Sequence, residues 1–137
     1  PLKKVLEIGT GSGFQATILA QLVERVYSVE RIEPLLAKAK ERFRKLGLRN
    51  ITAELSDGSF GWQKHAPYDG IIATAAPQAV PDELLHQLAP NGILVIPVGV
   101  GDVQDLRVLR RVGDTTEFEE EIVEQVKFVP LLGGLAR

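Results

Sequence analysis

The sequence contains no cysteine and no methionine, and its 137 residues include only two histidines, His65 and His86. Without cysteine there are no disulfides, no thiolate metal site and no thiol nucleophile. The two histidines sit apart, in Lys64-His65-Ala66-Pro67 and Leu85-His86-Gln87, and read as surface residues rather than as a catalytic centre. No apolar run approaches the roughly 18 residues that cross a bilayer. No signal peptide is visible in the opening Pro1-Leu2-Lys3-Lys4, and none is expected. Neither sign of charge is in excess. With 16 basic and 18 acidic residues the net charge is −2, which leaves no electrostatic footprint for nucleic acid. What remains is an ordinary globular composition, 45% hydrophobic and 25% charged, which excludes a disordered or fibrous chain. The length suits one domain over residues 1–137.

Apolar runs and helical patterns alternate along the chain. Residues 4–8 form a short apolar run that ends in a glycine cluster, the pattern of a buried strand. Ile18, Leu19, Leu22 and Val23 then recur at helical spacing, and residues 26–30 form a second strand. Pro34 stands in the first turn of a helix whose stripe is Leu35, Ala39, Phe43 and Leu46, with Gly47 as its end. Residues 51–55, 70–73 and 92–98 are further strands, and 81–88 a short helix. The alternation then stops. Residues 106–112 and 118–129 read as two strands joined at Gly113-Asp114, an antiparallel hairpin on which Arg107, Arg110 and Arg111 pair with Glu119, Glu120 and Glu121. Five βα-type strands followed by a hairpin predict an α/β fold, a mainly parallel sheet with helices on both faces. A chain that opens directly on a core strand reads as a piece of something longer.

The strongest motif is Glu7-Ile8-Gly9-Thr10-Gly11-Ser12-Gly13, between the first strand and the first helix. Glycine permits a sharp turn and a close approach of ligand to backbone, and the helix that follows offers free N–H groups. The loop therefore suits a ligand with an anionic or strongly hydrogen-bonding part. The dinucleotide fingerprint G-x-G-x-x-G places its third glycine where this chain has Phe14; here Gly13 comes one place early. Glu30 closes the second strand, and a carboxylate there accepts both hydroxyls of a ribose, which fits either a dinucleotide or another nucleoside cofactor. Asp57-Gly58-Ser59 is by spacing an ordinary turn, or else an acceptor for an amino group.

The E-x-G-x-G-x-G spacing resembles motif I of the S-adenosylmethionine-dependent class I methyltransferases. Several further strings are similar to those of protein-L-isoaspartate O-methyltransferases: Val26-Tyr27-Ser28-Val29-Glu30-Arg31, Asp57-Gly58-Ser59-Phe60-Gly61-Trp62, Tyr68-Asp69-Gly70-Ile71-Ile72-Ala73-Thr74-Ala75-Ala76-Pro77, Gly92-Ile93-Leu94-Val95-Ile96-Pro97-Val98-Gly99 and Phe128-Val129-Pro130-Leu131. Phe14 stands where that family has Tyr, and Ser56 where it has Gly.

The resemblance implies a Rossmann-like sheet of order 3-2-1-4-5-7-6, with strand 7 antiparallel. It implies methyl transfer from S-adenosylmethionine to the free carboxylate of isoaspartyl residues in damaged proteins, leaving S-adenosylhomocysteine. The implied cofactor set is Glu7, Gly9, Thr10, Gly11, Ser12, Gly13, Glu30 (ribose), Arg31, Asp57 (adenine), Gly58 and Thr74. Ala75, Ala76, Phe128, Val129 and Pro130 would border the acceptor peptide. No metal is implied, and the expected protein is a cytoplasmic monomer that binds neither nucleic acid nor membrane. The family also carries an N-terminal helical segment with a Ser-containing motif that helps close the site. The expectation is that methyl transfer is poor without it, and no catalytic residue is assigned in residues 1–137. The alternatives are a methyltransferase for another acceptor, a cofactor-binding core without activity, and an NAD-dependent dehydrogenase.

Overall fold

The computed structural model describes residues 3–136; Pro1, Leu2 and Arg137 lie outside the described residues, and with them the first two positions of the opening read above. Along the chain run β1 (Lys4–Ile8), α1 (Phe14–Leu19), β2 (Arg25–Glu30), α2 (Glu33–Lys45), β3 (Ile51–Leu55), β4 (Tyr68–Ala73), β5 (Ala75–Ala76), α3 (Asp82–His86), β6 (Leu88–Val98), β7 (Gln104–Arg111), β8 (Phe118–Val126) and β9 (Val129–Pro130). Short 3-10 turns at Gly58–Phe60 and Gln63–His65 fill the link from β3 to β4.

One sheet has the order β3-β2-β1-β4-β6-β7-β8. Its first five strands are parallel, whereas β7 runs antiparallel to β6 and β8 antiparallel to β7. The expected α/β class and mainly parallel sheet are present. The expected order of the last strands is not: the final long strand lies at the sheet edge rather than between the two before it. Connection length explains this. Only residues 99–103 separate β6 from β7, whereas a crossover back into the sheet takes a dozen or more. The turn at Gly113 then returns the chain directly beside β7, closed by Val112 N–H on the Glu117 carbonyl at 2.9 Å. On this hairpin Arg107 pairs with Glu120 at 2.7 Å, while Arg111 turns back to Asp114 and the Leu88 carbonyl. The last strand stops at Val126, three residues short of the predicted end, and Val129–Pro130 joins a separate two-stranded ribbon with β5.

Strand alternation sorts side chains between the two faces. Leu6, Ile8, Tyr27, Val29, Ile71, Leu94 and Ile96 share one core with Leu84 of α3. Val26 packs on the other face against Ala16 of α1 and Ala39 and Phe43 of α2. Helices thus cover both faces, as predicted. The predicted stripes shift, however. Helix α1 stops at Leu19, and Ile18 and Leu22 remain exposed. In α2 the buried positions are Leu36, Ala39 and Phe43, while Leu46 faces solvent. Arg42, Arg44 and Lys45 in the last turn of α2 complement the negative end of its dipole.

Candidate functional site

The glycine loop is held from several directions. The N–H groups of Gly9 and Thr10 both donate to the Val29 carbonyl, at 2.8 and 3.2 Å, which folds the loop over the end of β2. From the β4 side the Thr74 hydroxyl lies 3.0 Å from the Ile8 carbonyl and 3.2 Å from that of Gly9. From α2 the Arg42 Nε donates to the Ser12 carbonyl at 3.1 Å. Gly13 has φ +89°, and a Cβ there would stand 2.8 Å from the Phe43 ring. Only glycine lets the loop lie this close to α2. Gly11 differs: its φ is +56°, and a Cβ would meet no protein atom within 4 Å. The space beside Gly11 is open.

A cavity of about 210 Å³ opens over the carboxyl ends of β1 and β2. Gly9, Gly11, Glu30, Arg31, Gly58 and Thr74 contribute to its lining, with Ala75, Val129 and Pro130 on the side of the ribbon. Ile32, Leu35, Leu131 and Leu132 add apolar wall. Glu30 is the one carboxylate in this lining and is itself buried. Its Oε1 accepts from Gly11 N–H at 2.8 Å and its Oε2 from Ile32 N–H at 3.0 Å. An ionised carboxylate has about four acceptor positions, so the two backbone bonds fix its orientation and leave acceptor capacity for a ligand.

Other members of the expected cofactor set lie outside the lining, each for a visible reason. Glu7 is fully buried beneath the loop, because alternation along β1 turns it to the face opposite Leu6 and Ile8. Burial pushes its carboxyl from the ordinary 4.5 up to about 7, against the lowering effect of hydrogen bonds from Ser28 and Gln15. Thr10 is buried on Ser28, Ser12 points to solvent, and Gly13 is pressed against α2.

Asp57 accepts from Ser59 N–H at 2.9 Å and from Gly134 N–H at 3.0 Å. Burial works to raise its carboxyl, but the bonds from Gly134 and Ser59 outweigh it and hold the group below the usual carboxylate range. Its visible partner is therefore the C-terminal segment, residues 131–136. That segment is also tied by Leu131 N–H on the Ala76 carbonyl, by Ala136 N–H on the Arg31 carbonyl, and by Arg31 Nε on the Gly134 carbonyl.

Of the expected acceptor-side residues, Ala75 and Ala76 pair in parallel with Val129 and Pro130. This ribbon separates the main cavity from a neighbouring one of about 140 Å³, lined in part by Ala76, Gly99, Gln104 and Pro130. Phe128 lines neither; its N–H donates to the buried Gln104 side chain at 2.8 Å. Trp62 packs edge-on to Tyr27 at 5.7 Å, in the core and away from the loop. His65 stacks on Tyr27 at 4.4 Å, so it is a packing residue and not a free surface group. The apolar walls were missed in the sequence. Leu35 looked like a core position of α2, and nothing periodic marks Ile32 or Leu132. Among the described residues no cluster of His, Asp and Glu is arranged to hold a metal ion. Nor is any helix among them long and apolar enough to cross a membrane.

A mainly parallel sheet, a glycine loop after its central strand and a carboxylate at the end of the next strand define a Rossmann-like methyltransferase fold. Comparison with known proteins narrows the class. The sequence model of the protein-L-isoaspartate(D-aspartate) O-methyltransferase family matches residues 1–136, and the chain belongs to that family. The protein-L-isoaspartate O-methyltransferase of Cellvibrio japonicus (strain Ueda107) is 60% identical over 136 residues, 99% of this chain and 61% of the relative. A solved protein-L-isoaspartate O-methyltransferase superposes with a TM-score of 0.87 at 26% identity, covering 98% of this chain and 43% of that one. A Plasmodium falciparum protein described as a putative member of the same family, solved with S-adenosyl-L-homocysteine, gives a TM-score of 0.75 at 20% identity, covering 95% and 66%. The chain spans about three-fifths of the length of the curated relatives it matches.

Proposed function

We propose that this chain forms the cofactor-binding body of an enzyme that methylates the free carboxylate of L-isoaspartyl residues in damaged proteins and peptides, with S-adenosylmethionine as methyl donor. The observation that carries the reading is Glu30. Its carboxylate is held at a largely apolar cavity by two backbone N–H groups, with acceptor capacity left for the two hydroxyls of a ribose. Family membership supports the acceptor, and the S-adenosyl-L-homocysteine bound by the Plasmodium falciparum protein supports the cofactor.

The residues present fit such a nucleoside. Gly11 leaves room against the backbone, Glu30 takes the ribose, and Ile32, Leu35, Leu131 and Leu132 give apolar cover. Asp57 serves the same end of the site by holding residues 131–136 in place. When bound, S-adenosylmethionine supplies a methyl group on a positively charged sulfur, already activated for transfer. The acceptor carboxyl has a pKa of about 3.5 and is ionised at neutral pH, so it needs no general base. The task of the chain is to align the acceptor and keep water away from it. The pairing of Ala75 and Ala76 with Val129 and Pro130 beside the cavity supports reading this ribbon as that wall.

The test has two arms. Calorimetry with S-adenosylhomocysteine and with NAD separates the cofactor classes. Labelled methyl transfer to an isoaspartyl peptide and to its normal aspartyl isomer separates the acceptors. Binding of S-adenosylhomocysteine alone and labelling of the isoaspartyl peptide alone are expected. Binding of NAD, or equal labelling of both peptides, overturns the reading.

A further inference from the structure

We infer that Glu7 is a positioning residue, which sets the shape of the glycine loop from beneath through Ser28, Thr10 and Gln15 and makes no contact with the ligand. The inference rests on the proposed cofactor reading only in taking the loop as the cofactor's seat. It departs from the sequence expectation, which placed Glu7 in the cofactor set.

The bond directions follow from what each group can donate. Ser28 stands opposite Glu7 in the β1–β2 register, and its hydroxyl donates to Glu7 Oε1 at 2.6 Å. A serine hydroxyl has one hydrogen. With that hydrogen committed to Glu7, the 2.6 Å contact between Thr10 Oγ1 and Ser28 Oγ must run from the Thr10 hydroxyl to the Ser28 oxygen. With Glu7 ionised, Thr10, Ser28 and Glu7 therefore form a one-way relay that ends on its carboxylate, and all three are buried. The second carboxylate oxygen accepts from Gln15 Nε2 at 2.9 Å. Thr10 lies inside the loop and Gln15 in the first turn of α1. One buried carboxylate thus ties down both ends of a segment whose glycines have no side chains to anchor it.

Packing alone does not explain the arrangement. An apolar residue at position 7 would fill the space but leave the Ser28 hydroxyl and the Gln15 amide without their acceptor, and buried donors left unpaired are costly. A glutamine would serve. Its oxygen accepts from Ser28, and a turned Gln15 amide presents oxygen to the new NH₂ group. Shape and acceptor position, rather than charge felt by the ligand, are what the loop requires of position 7.

The test is a double-mutant cycle read by S-adenosylhomocysteine calorimetry, paired with amide hydrogen exchange at Thr10 and Gly11 in the ligand-free protein. Glu7→Leu and Thr10→Val are each expected to weaken binding roughly tenfold, the scale of one lost buried hydrogen bond, and to speed exchange at both amides. The double variant should bind no worse than either single one, because both changes break the same relay. Glu7→Gln should stay within about twofold of the wild type, as one satisfied network replaces another. Ser28→Ala breaks the relay without altering position 7 and should match Thr10→Val, so a Glu7→Leu protein that fails to fold leaves the test intact.

Losses that multiply in the double variant overturn the inference, as does a Glu7→Gln loss equal to that of Glu7→Leu, which would mean the ligand feels the charge directly. Unchanged loop exchange in Ser28→Ala overturns it too. A wild-type protein that binds no S-adenosylhomocysteine refutes the cofactor reading instead, and the exchange measurements then decide the role of Glu7 alone.

Discussion

Replacing Glu7 by glutamine should stabilise the protein above pH 7 and leave it nearly unchanged below pH 4.5. In the folded chain, burial raises the Glu7 carboxyl from 4.5 to about 7. Between those values the native state holds a proton that the unfolded chain has released. Stability therefore falls as pH rises through that window and levels off above it. A shift of this size corresponds to about 3 kcal/mol at 1.36 kcal/mol per pH unit. Glutamine never ionises, so the Glu7→Gln protein escapes this loss while keeping the bonds to Ser28 and Gln15. The assay is urea unfolding of both proteins from pH 4 to 9, taking the difference between them so that every other titrating group cancels. The glutamine variant should gain steadily between pH 4.5 and 7, reaching an advantage of about 3 kcal/mol near pH 8. A difference that stays constant with pH would show that Glu7 titrates as it does in water and is not dehydrated beneath the loop.

Three further outcomes follow from the loop and its neighbours. Glu30→Ala should weaken S-adenosylhomocysteine by roughly 1.5–3 kcal/mol, about ten- to a hundredfold by calorimetry, since it removes a charged acceptor; unchanged affinity would remove Glu30 from the ribose. Gly11→Val should abolish that binding while the protein still melts cooperatively, because a Cβ there meets no protein atom within 4 Å, so the fold bears only the strain of φ +56° while the branch fills ligand space; normal binding by the folded variant would sink the loop reading. Gly13→Ala should instead cost about 2–4 kcal/mol of stability in urea, as it combines a strained φ of +89° with a Cβ 2.8 Å from the Phe43 ring; a cost no larger than that of Gly11→Ala would contradict the packing described.

What was legible in the sequence was local. The apolar run of residues 4–8, the glycines after it and the carboxylate at position 30 are each short-range patterns, and β1, the loop and Glu30 stand where those patterns place them. The order of the last strands was legible too, in the five residues between β6 and β7, but the family's usual topology was set above that length argument. The face taken by Glu7 lay in the alternation of Leu6, Glu7 and Ile8: once two apolar neighbours point to one core, the acid between them points to the other. The C-terminal segment was beyond reach. Its bonds to Arg31, Asp57 and Ala76 join positions 50 or more apart, and each has a backbone group of the segment as its partner, which carries no residue signature.

The distribution of the acids follows from the glycines. A segment that alternates glycine with small residues has more backbone freedom to lose than any other, and few side chains with which to hold a shape. Its conformation must be imposed from outside. In this chain two carboxylates do so from opposite sides: Glu30 from the ligand side through Gly11 N–H, and Glu7 from the core side through Ser28 and Gln15. They are close enough that the charge on Glu30 adds to the elevation of Glu7. Holding both acids beside one flexible loop is unfavourable to stability, yet each meets a need that the other cannot. Glu30 keeps acceptor capacity open to the cavity, whereas both oxygens of Glu7 are taken up in the core. Losing Glu30 should therefore remove ligand contacts from a loop that Thr10 and Gln15 still hold in shape. Losing Glu7 should leave the ligand contacts in place on a loop that no longer presents them together.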